Sequence, residues 1–456
     1  MKNKQSSLYL ITKKHYGAWL KKQSEYTKHY LESLDFQVEE KAYVVLADED
    51  GVLRSVLAIL PNKPDIWAIA HLYGKIPPHD YVLESEFTHE INQEILLGYE
   101  LAKYKFTKYK TNGKDSGRAF ANISCKEVDG DYISALKDAV YLVRDMVNTP
   151  ASDMMPADIS KQAQLIAKQH GAKFNEIVGD DLLKENYPTI HMVGRASVNQ
   201  PRLIELNWGK KNHPAVVLIG KGVCFDSGGL DIKSSSNMLL MKKDMAGAAH
   251  ALALAMLIMQ CKLPVNLRVL IPAVENSVSG NAFRPLDVVK SRKGITIEVG
   301  NTDAEGRLIL CDALADADTK KPELVIDFAT LTGAARVALG TDIAAYFTNS
   351  DKLSVEIMKY STKCSDPMWR LPLWQGYRDD LDSDVADINN AGSSGYAGAI
   401  TAALFLKEFV SEAKEWLHVD MMAWNTKSRS GRPKGGEAMS IRTLYALLSA
   451  RYNNSK

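Results

Sequence analysis

The stretch "VVLIGKGVCFDSGGLDIK", Val216 to Lys233, joins a continuous apolar run to a polar, glycine-rich segment. The apolar part is typical of a strand that is buried on both faces, as in parallel sheets. Lys221 and Asp226 come just past the end of that strand, and residues 227–229 predict a turn before Lys233. Loops at the carboxyl ends of parallel strands are the usual place for a functional site. Taken alone, the segment is better explained as a turn with a solvated lysine than as a functional site.

Outward from this strand, short apolar runs alternate with helical segments as far as the C-terminus. The other strand-like runs include "RLIELN", "VNLRVLIPAV", "ITIEV" and "ELVIDFA". The most apolar stretch, Met245 to Cys261, is short for a membrane span and contains His250 and Gln260, so it predicts a buried helix. This alternation predicts an α/β domain with a central, mostly parallel sheet.

The first 125 or so residues also alternate strand-like and helix-like runs. Strands are predicted over "KAYVVLAD", "SVLAIL" and "DIWAIAHLY", and a helix over "EFTHEINQEILLGYELAKYKF". A further helical pattern, "DYISALKDAVYLVRDMVNTP", ends at Pro150. We therefore predict a small N-terminal α/β domain over residues 1–130, a connecting helix over 131–150 and a larger C-terminal α/β domain over 151–456.

Composition limits the classes of partner. Among the 456 residues, 56 Lys and Arg nearly balance 55 Asp and Glu, so no overall field favours nucleic acid or an anionic membrane. The 5 cysteines include no CxxC pair, which indicates reduced thiols and a cytoplasmic protein. The opening "MKNKQSSLYLITKKHY" is too polar for a signal peptide.

Two further polar clusters interrupt the apolar framework. In "MKKDMAGAAH", Asp244 immediately precedes the apolar helix, where it suits an N-cap or a partner of the helix dipole. In "NTDAEGRLIL", Asn301 to Leu310, Thr302 and Glu305 fit a capping box before a buried helix. The functional alternative is that Asp303 and Glu305 hold a cation while Arg307 reaches an anion beside it.

The charges of the three clusters favour the functional alternative. They contain four acids and three bases, namely Asp226, Asp244, Asp303, Glu305, Lys221, Lys233 and Arg307. Four carboxylates cannot share a dry site without counter-charge, and two divalent cations would supply it. Oxygen ligands favour Mg²⁺ or Mn²⁺ and do not exclude Zn²⁺. Such a pair would polarise a carbonyl and generate a hydroxide nucleophile, and Lys221 would have to lose its proton to bind a metal.

Four stretches together resemble the M17 leucyl aminopeptidase family, also called cytosol aminopeptidases. They are "GKGVCFDSGGLDIK", "MKKDMAGAAH", "NTDAEGRLILCDALADA" and "IDFATLTGAARVALG". The similarity extends from about Arg144 to the C-terminus through "VRDMVNTPASDMMPADI", "GRASVNQPRLIEL" and "AGAITAALFLKEF", whereas the first 125 or so residues carry no distinctive motif.

The resemblance implies an exopeptidase that removes N-terminal residues from peptides with two metal ions, Zn²⁺ or Mn²⁺. The oxygen ligands leave Mg²⁺ as a further option. One ion would be held by Lys221, Asp226, Asp244 and Glu305, and the other by Asp226, Asp303 and Glu305. Lys233 would stabilise the oxyanion, and Arg307 would hold a bicarbonate that acts as general base. The family also implies a macro-domain-like N-terminal domain, a catalytic C-terminal domain, a homohexamer and a cytoplasmic location.

Met241, Thr330, Leu331 and Gly333 match family positions that line the substrate pocket, although core or turn packing also explains them. Met421 and Met422 follow Asp420 where the family usually has small residues. Because methionine adapts to irregular apolar partners, we predict that several apolar N-terminal residues are accepted, leucine and methionine among them, and that aspartate is disfavoured.

A second function class is a DNA-binding regulator of the same fold, which the resemblance also implies for some bacterial members. The segments "KKHYGAWLKK" and "KYKFTKYKTNGK" are basic and contain aromatic residues. Solvated faces explain them more simply, and the near-neutral net charge gives DNA binding little support. A third hypothesis is a catalytically inactive scaffold. The intact set of seven polar residues argues against it.

Overall fold

The computed structural model describes residues 5–111 and 120–453, and its helices and strands confirm the predicted α/β class. The chain forms two compact units. The smaller comprises Met1–Tyr141 and Lys427–Lys434, and the larger comprises Leu142–Thr426 and Gly435–Lys456. The change from one unit to the other falls within the long helix Gly130–Asn148.

The smaller unit is built around a five-stranded sheet in the order β2-β3-β1-β4-β5. In this sheet β1 is parallel to β3 and β4, β4 is parallel to β5, and β2 is antiparallel to β3. The strands are β1 (Ser6–Thr12), β2 (Tyr43–Ala47), β3 (Leu53–Leu60), β4 (Asp80–Ser85) and β5 (Asn122–Ser124). The helices are α1 (Tyr16–Leu20), α2 (Glu25–Ser33), α3 (His89–Ala102) and α4 (Gly130–Asn148), with a 3-10 turn at Ala70–Leu72.

The predicted strand over "DIWAIAHLY" is wrong. Its apolar side chains are buried, but residues 65–73 form turns and the 3-10 segment Ala70–Leu72. The backbone of this segment packs directly against α3, because a Cβ on Gly98 would lie 1.6 Å from the carbonyl oxygen of Ile66. Burial against a helix thus replaces the pairing that a strand would need.

The larger unit has a nine-stranded mixed sheet in the order β15-β14-β17-β13-β8-β10-β7-β6, with β9 paired to β10. Two small sheets are separate from it. One contains β11, β12 and β16, and the other contains β18 and β19. The strands are β6 (Lys173–Val178), β7 (Arg202–Trp208), β8 (Ala215–Gly220), β9 (Gly222–Asp226), β10 (Asn266–Asn276), β11 (Val288–Lys290), β12 (Thr296–Glu298), β13 (Leu324–Ala329), β14 (Ala344–Thr348), β15 (Met368–Arg370), β16 (Ile388–Asn389), β17 (Glu415–Asp420), β18 (Trp424–Asn425) and β19 (Gly435–Gly436).

Helices cover this sheet and supply the rest of the core. They are α5 (Pro156–His170), α6 (Asp181–Lys184), α7 (Pro188–Gly194), α8 (Ser235–Met238), α9 (Ala246–Gln260), α10 (Glu305–Asp318), α11 (Gly333–Leu339), α12 (Asp351–Lys363), α13 (Gly398–Lys407) and α14 (Ile441–Tyr452). Short 3-10 segments lie at Ala151–Asp153, Met241–Met245 and Gln375–Leu381. As predicted, α9 is a buried helix, and all of its residues except the last are buried.

The centre of the large sheet is parallel, since β8 pairs in parallel with β10 and β13, and β13 in parallel with β17. Outside this centre, β7 is antiparallel to β10, β6 is antiparallel to β7, and β14 is antiparallel to β17. At the carboxyl end of β8, Gly220 lies against the backbone of α9, where an added Cβ would be 2.6 Å from the Cα of Ala248. This close approach brings the start of α9 to the strand ends that carry the polar clusters.

The five cysteines are all free thiols. Among the described helices, none combines the length and hydropathy that crossing a bilayer requires. The last three residues of the basic segment "KYKFTKYKTNGK", residues 112–114, lie outside the described residues.

Candidate active site

The predicted site residues meet at the carboxyl ends of the central strands. Lys221 follows β8 directly, and Asp226 is the last residue of β9. Asp244 lies in the 3-10 segment before α9, and Glu305 is the first residue of α10. A cavity of about 470 Å³ opens here, and its lining includes Lys221, Asp226, Lys233, Met241, Asp244, Asp303, Arg307, Thr330, Leu331 and Gly333.

Three buried carboxylates form the centre of the site. Asp226, Asp244 and Glu305 each offer an oxygen atom, and these atoms lie within 4.8 Å of one another. Lys221 faces two of them, with its Nζ 2.8 Å from Asp244 Oδ2 and 2.8 Å from Glu305 Oε1. Lys233 Nζ lies 2.8 Å from Asp226 Oδ2 and also pairs with Asp303. The two lysines thus compensate part of the negative charge of the four clustered acids.

The acids raise the pKa of both lysines. Burial opposes the charged form of Lys221, but the carboxylates of Asp244 and Glu305 outweigh it, and the pKa rises. For Lys233, the carboxylates of Asp226 and Asp303 outweigh burial in the same way and raise its pKa. Both ammonium groups are therefore held by the acids and act as internal counter-ions.

The carboxylates respond differently to the shared burial. Burial and the neighbouring Asp226 raise the pKa of Asp303 to about 6. Burial, followed by the charge of Asp226, raises the pKa of Glu305 well above its ordinary value. For Asp244, burial is outweighed by Lys221, and the pKa is lowered.

These properties fit divalent cations. Asp244 Oδ2, Asp303 Oδ1 and Glu305 Oε1 are buried and accept no hydrogen bond of acceptable geometry, although each lies at ion-pair distance from a lysine. The short distances to the lysines show that these oxygens attract positive charge. Unsatisfied carboxylate oxygens that converge on a cavity are the donors hard or borderline cations prefer.

The capping box predicted at the start of α10 is wrong. The residue before the helix is Ala304, and no side chain caps it. Thr302 instead donates its hydroxyl to the carbonyl oxygen of Gly228 at 2.6 Å and accepts from the backbone N–H of Asp231 at 2.9 Å. Thr302 thus connects the turn that carries Asp303 to the glycine-rich turn at Gly228. Gly228, with φ of +89°, adopts the left-handed conformation that the glycine-rich turn needs.

Asp244 is likewise not a cap of α9, for which the flanking residue is Met245. Its Oδ1 accepts a hydrogen bond of 2.6 Å from the hydroxyl of Thr330, which follows β13. Its other oxygen is left to face Lys221.

Gly306 makes room for Lys221. A Cβ at this position would lie 2.5 Å from Lys221 Nζ and 2.6 Å from its Cε. Because Gly306 has no side chain, Lys221 can lie across the first turn of α10 and reach Glu305.

Arg307 reaches the cavity from the same helix turn without contacting the three clustered carboxylates. Its Nη1 donates to the carbonyl oxygen of Asn390 at 2.7 Å, and its buried Nε has no hydrogen-bond partner. Burial lowers the pKa of Arg307 to about 10. Donors of this guanidinium thus remain for another group in the cavity.

The four predicted pocket residues all line the cavity, as noted above. Asp420 fixes the loop that carries two of them, because its Oδ1 accepts from the backbone N–H of Leu331 at 2.9 Å and of Thr332 at 3.2 Å. Met421 and Met422 are buried and do not belong to the lining. They therefore do not act on specificity through direct contact with the cavity.

Sequence reasoning missed several residues of the site. The side chain of Asn390 accepts from the backbone N–H of Gly300 at 2.8 Å and donates to the carbonyl oxygen of Asn301 at 2.8 Å. Its carbonyl oxygen also accepts from Arg307, so Asn390 holds both Arg307 and the turn that carries Asp303. Lys243 and Arg336 line the cavity. Nothing in the local pattern marks Asn390, whereas Lys243 could have been noticed as the neighbour of Asp244.

Comparison with known proteins places the chain in one class, the aminopeptidases. A model described as the cytosol aminopeptidase family, catalytic domain, matches residues 141–445, and one described as the M17 aminopeptidase, N-terminal domain, matches residues 7–121. The chain therefore belongs to the M17, or cytosol aminopeptidase, family, and is an aminopeptidase. The match to the N-terminal model shows that the first part of the chain, in which we found no distinctive motif, also follows the family.

Individual relatives agree with this assignment. A probable cytosol aminopeptidase of Geobacter sp. (strain M21) is 39% identical over 370 residues, covering 78% of this chain and 75% of the relative. One from Roseiflexus castenholzii is 36% identical and covers 87% of this chain and 83% of its own. The crystal structure of the cytosol aminopeptidase from Coxiella burnetii superposes with a TM-score of 0.93 at 42% identity, covering 99% and 98% of the two chains.

The family is metal-dependent. A further structural relative, the bottromycin maturation enzyme BotP in complex with Mn, has a TM-score of 0.86 at 29% identity and covers 98% of this chain and 100% of its own. The comparisons give no support to a DNA-binding regulator.

Proposed function

We propose that this aminopeptidase hydrolyses the first peptide bond of peptides with the help of two divalent metal ions, Zn²⁺ or Mn²⁺, or else Mg²⁺. The observation that carries the proposal is the set of three buried carboxylates whose oxygens lie within 4.8 Å of one another beside the cavity. A cluster of this charge is costly without cations, and the two lysines alone leave it incompletely compensated.

Five side chains would hold the ions. The first site comprises Lys221, Asp226, Asp244 and Glu305, and the second comprises Asp226, Asp303 and Glu305. When bound, the ions supply Lewis acidity toward the peptide carbonyl and make water acidic enough to react near neutral pH. Its carboxylate neighbours hold Lys221 as an ammonium, so Lys221 would have to give up its proton to bind an ion.

Lys233 and Arg307 would act on the reacting atoms. Lys233 has a raised pKa and lines the cavity, so its ammonium is available to donate to the carbonyl oxygen as negative charge develops. Arg307 would hold a bicarbonate that accepts a proton from the attacking water. Its unused donors and the planar shape of its guanidinium suit a carbonate-type anion.

The substrates we propose are peptides with an apolar N-terminal residue, leucine or methionine in particular. Met241 and Leu331 supply apolar surface to the cavity, and Gly333 also lines it. We also propose that the enzyme is cytoplasmic and acts as a homohexamer. The name that the relatives carry, cytosol aminopeptidase, supports this location.

Metal removal tests the proposal. After exhaustive chelation, hydrolysis of leucine amide should be lost and should return with Mn²⁺ or Zn²⁺, with two ions per chain measured by elemental analysis. Asp244→Asn removes a proposed ligand and should lower the metal content. The same substitution at the exposed Asp379 should not change it. Full activity in metal-stripped protein would show that the mechanism is wrong.

A further inference from the structure

Two cations in the lining of the cavity have no partner among residues 5–111 and 120–453. Lys243 is 1% exposed, and its Nζ makes no hydrogen bond and no ion pair. Arg336, on α11, is half-buried, and no hydrogen bond or ion pair of its guanidinium is found in the described chain. Its Nη2 lies 3.4 Å from the position a Cβ on Gly333 would take, so the group lies against a pocket residue.

The other cations of the cavity each have at least one partner in the chain. Lys221 and Lys233 each face two carboxylates, and Arg307 donates to the backbone at Asn390. Lys243 is the exception among the fully buried charges of the site. A buried ammonium without an acceptor is strongly unfavourable, and an uncharged side chain of similar length would fill the same space without that cost. A functional acceptor from outside the chain is therefore the most direct explanation.

The charge of the cavity identifies the acceptor as an anion. Five basic and three acidic side chains line it, and Glu305 adds a fourth acid beside them. The two lysines that face the acids compensate them in part, and any bound metal ion makes the cavity more positive still. The excess positive charge belongs to Lys243, Arg307 and Arg336.

We propose that Lys243 and Arg336 form a subsite for a carboxylate of the substrate. The proposal rests on the aminopeptidase function and adds a preference to it. Two sources of the carboxylate exist, the C-terminus of a dipeptide and an acidic side chain on the first residue. Met241 and Leu331 provide apolar surface in the same cavity, which suits a neutral first residue and favours the dipeptide C-terminus.

Matched substrates test the subsite in the metal-loaded enzyme. Leu-Gly and Leu-Gly amide differ only in the C-terminal charge, and Glu-Gly amide and Gln-Gly amide differ only in the first side chain. Because a hydrogen bond to a charged group is substantial, we expect KM for Leu-Gly to be about tenfold or more below that for its amide. Lys243→Met should remove this difference by raising KM for Leu-Gly, with kcat and the KM of the amide nearly unchanged.

Arg336→Gln should reduce the same difference, and it is an independent test because Arg336 lies on another element and is half-buried. Lys320→Met, on an exposed lysine outside the cavity, should leave it intact. A merely structural role of Lys243 predicts a lower melting temperature for Lys243→Met, whereas the subsite predicts an equal or higher one. Metal content of each variant should match that of the unmodified enzyme.

A discrimination that appears only between the Glu and Gln substrates, and is lost in Lys243→Met, assigns the carboxylate to the first side chain. If neither pair of substrates is discriminated, or if Lys243→Met and Arg336→Gln retain the full discrimination, the subsite does not exist. These outcomes are separate from the metal mechanism, which fails if metal-stripped protein stays active whatever the C-terminal group.

Discussion

Arg307 has a buried guanidinium with more donors than partners. It contacts Asn390 and lies two residues beyond Glu305, so its loss should leave the proposed metal ligands in place. If it holds the general base, Arg307→Ala should lower kcat by about 10²–10⁴-fold while keeping two metal ions per chain. Kinetics and metal analysis on one preparation measure both effects.

Two comparisons sharpen this prediction. Arg307→Lys should recover only part of the rate, because a single ammonium cannot reproduce the planar pair of donors. Added bicarbonate should stimulate the unmodified enzyme and not Arg307→Ala. A variant with unchanged kcat and a lower melting temperature would instead make Arg307 a structural residue.

His418 is a second buried residue whose charge matters, and it does not belong to the lining of the cavity. Its Nδ1 lies 2.5 Å from Asp327 Oδ1, and Asp327 Oδ2 accepts from Trp416 Nε1 at 2.7 Å. Burial opposes the imidazolium, but the adjacent Asp327 outweighs burial and raises the pKa of His418. Protonated His418 therefore stabilises the folded chain.

The sign of this effect sets its pH dependence. A histidine with a raised folded-state pKa contributes its full stabilisation below the unfolded value of about 6.5, and the contribution is lost as the pH rises through the folded value. The melting temperature of His418→Gln should fall below that of the unmodified protein by more at about pH 6 than at about pH 9. A difference that grows with rising pH would contradict the assignment.

At the scale of elements, the start of α10 joins helix geometry to site geometry. Alanine in place of Gly306 would normally stabilise a helix by about 0.5–1 kcal/mol. Here the new Cβ would lie 2.5 Å from Lys221 Nζ, so the lysine must move away from Asp244 and Glu305. We expect Gly306→Ala to fold with nearly unchanged melting temperature and to lose metal affinity and activity.

Gly17→Ala is the matched control, because Gly17 is also helical and nothing lies within 4 Å of its added Cβ. It should leave metal content and activity unchanged. Equal activity of Gly306→Ala and the unmodified enzyme would mean that the placement of Lys221 does not depend on this glycine. Titration of each variant with Mn²⁺ provides the measurement.

At the scale of the whole molecule, we expect the chain to assemble into a homohexamer. Closed symmetric oligomers are the norm for homo-oligomeric proteins, and the family resemblance implies a hexamer. Large apolar side chains of the larger unit are exposed in the isolated chain, among them Val198 at 97% and Val337 at 90%. Light scattering at micromolar concentration should give six times the chain mass, and a monomer under active conditions would contradict the prediction.

The sequence by itself determined the class of the fold and the composition of the candidate site. Runs such as "AVVLIG" and "ELVIDFA" became β8 and β13, and the apolar stretch after Asp244 became α9, because periodicity and continuous apolarity report burial directly. The polar cluster of Lys221 and Asp226 could be placed at a strand end for the same reason, whereas the clusters of Asp244 and of residues 301–307 could only be placed before helices.

Only the tertiary structure decided which partner each polar group has. Thr302 fits a local cap, yet it bonds to Gly228 and Asp231, more than 70 residues earlier in the chain. The segment at residues 65–73 fits a strand, yet it packs against α3. Local pattern reports whether a residue is buried, whereas its partner depends on backbone approaches between distant segments. The same reason hid Asn390, which holds the acidic turn and Arg307 from more than 80 residues away.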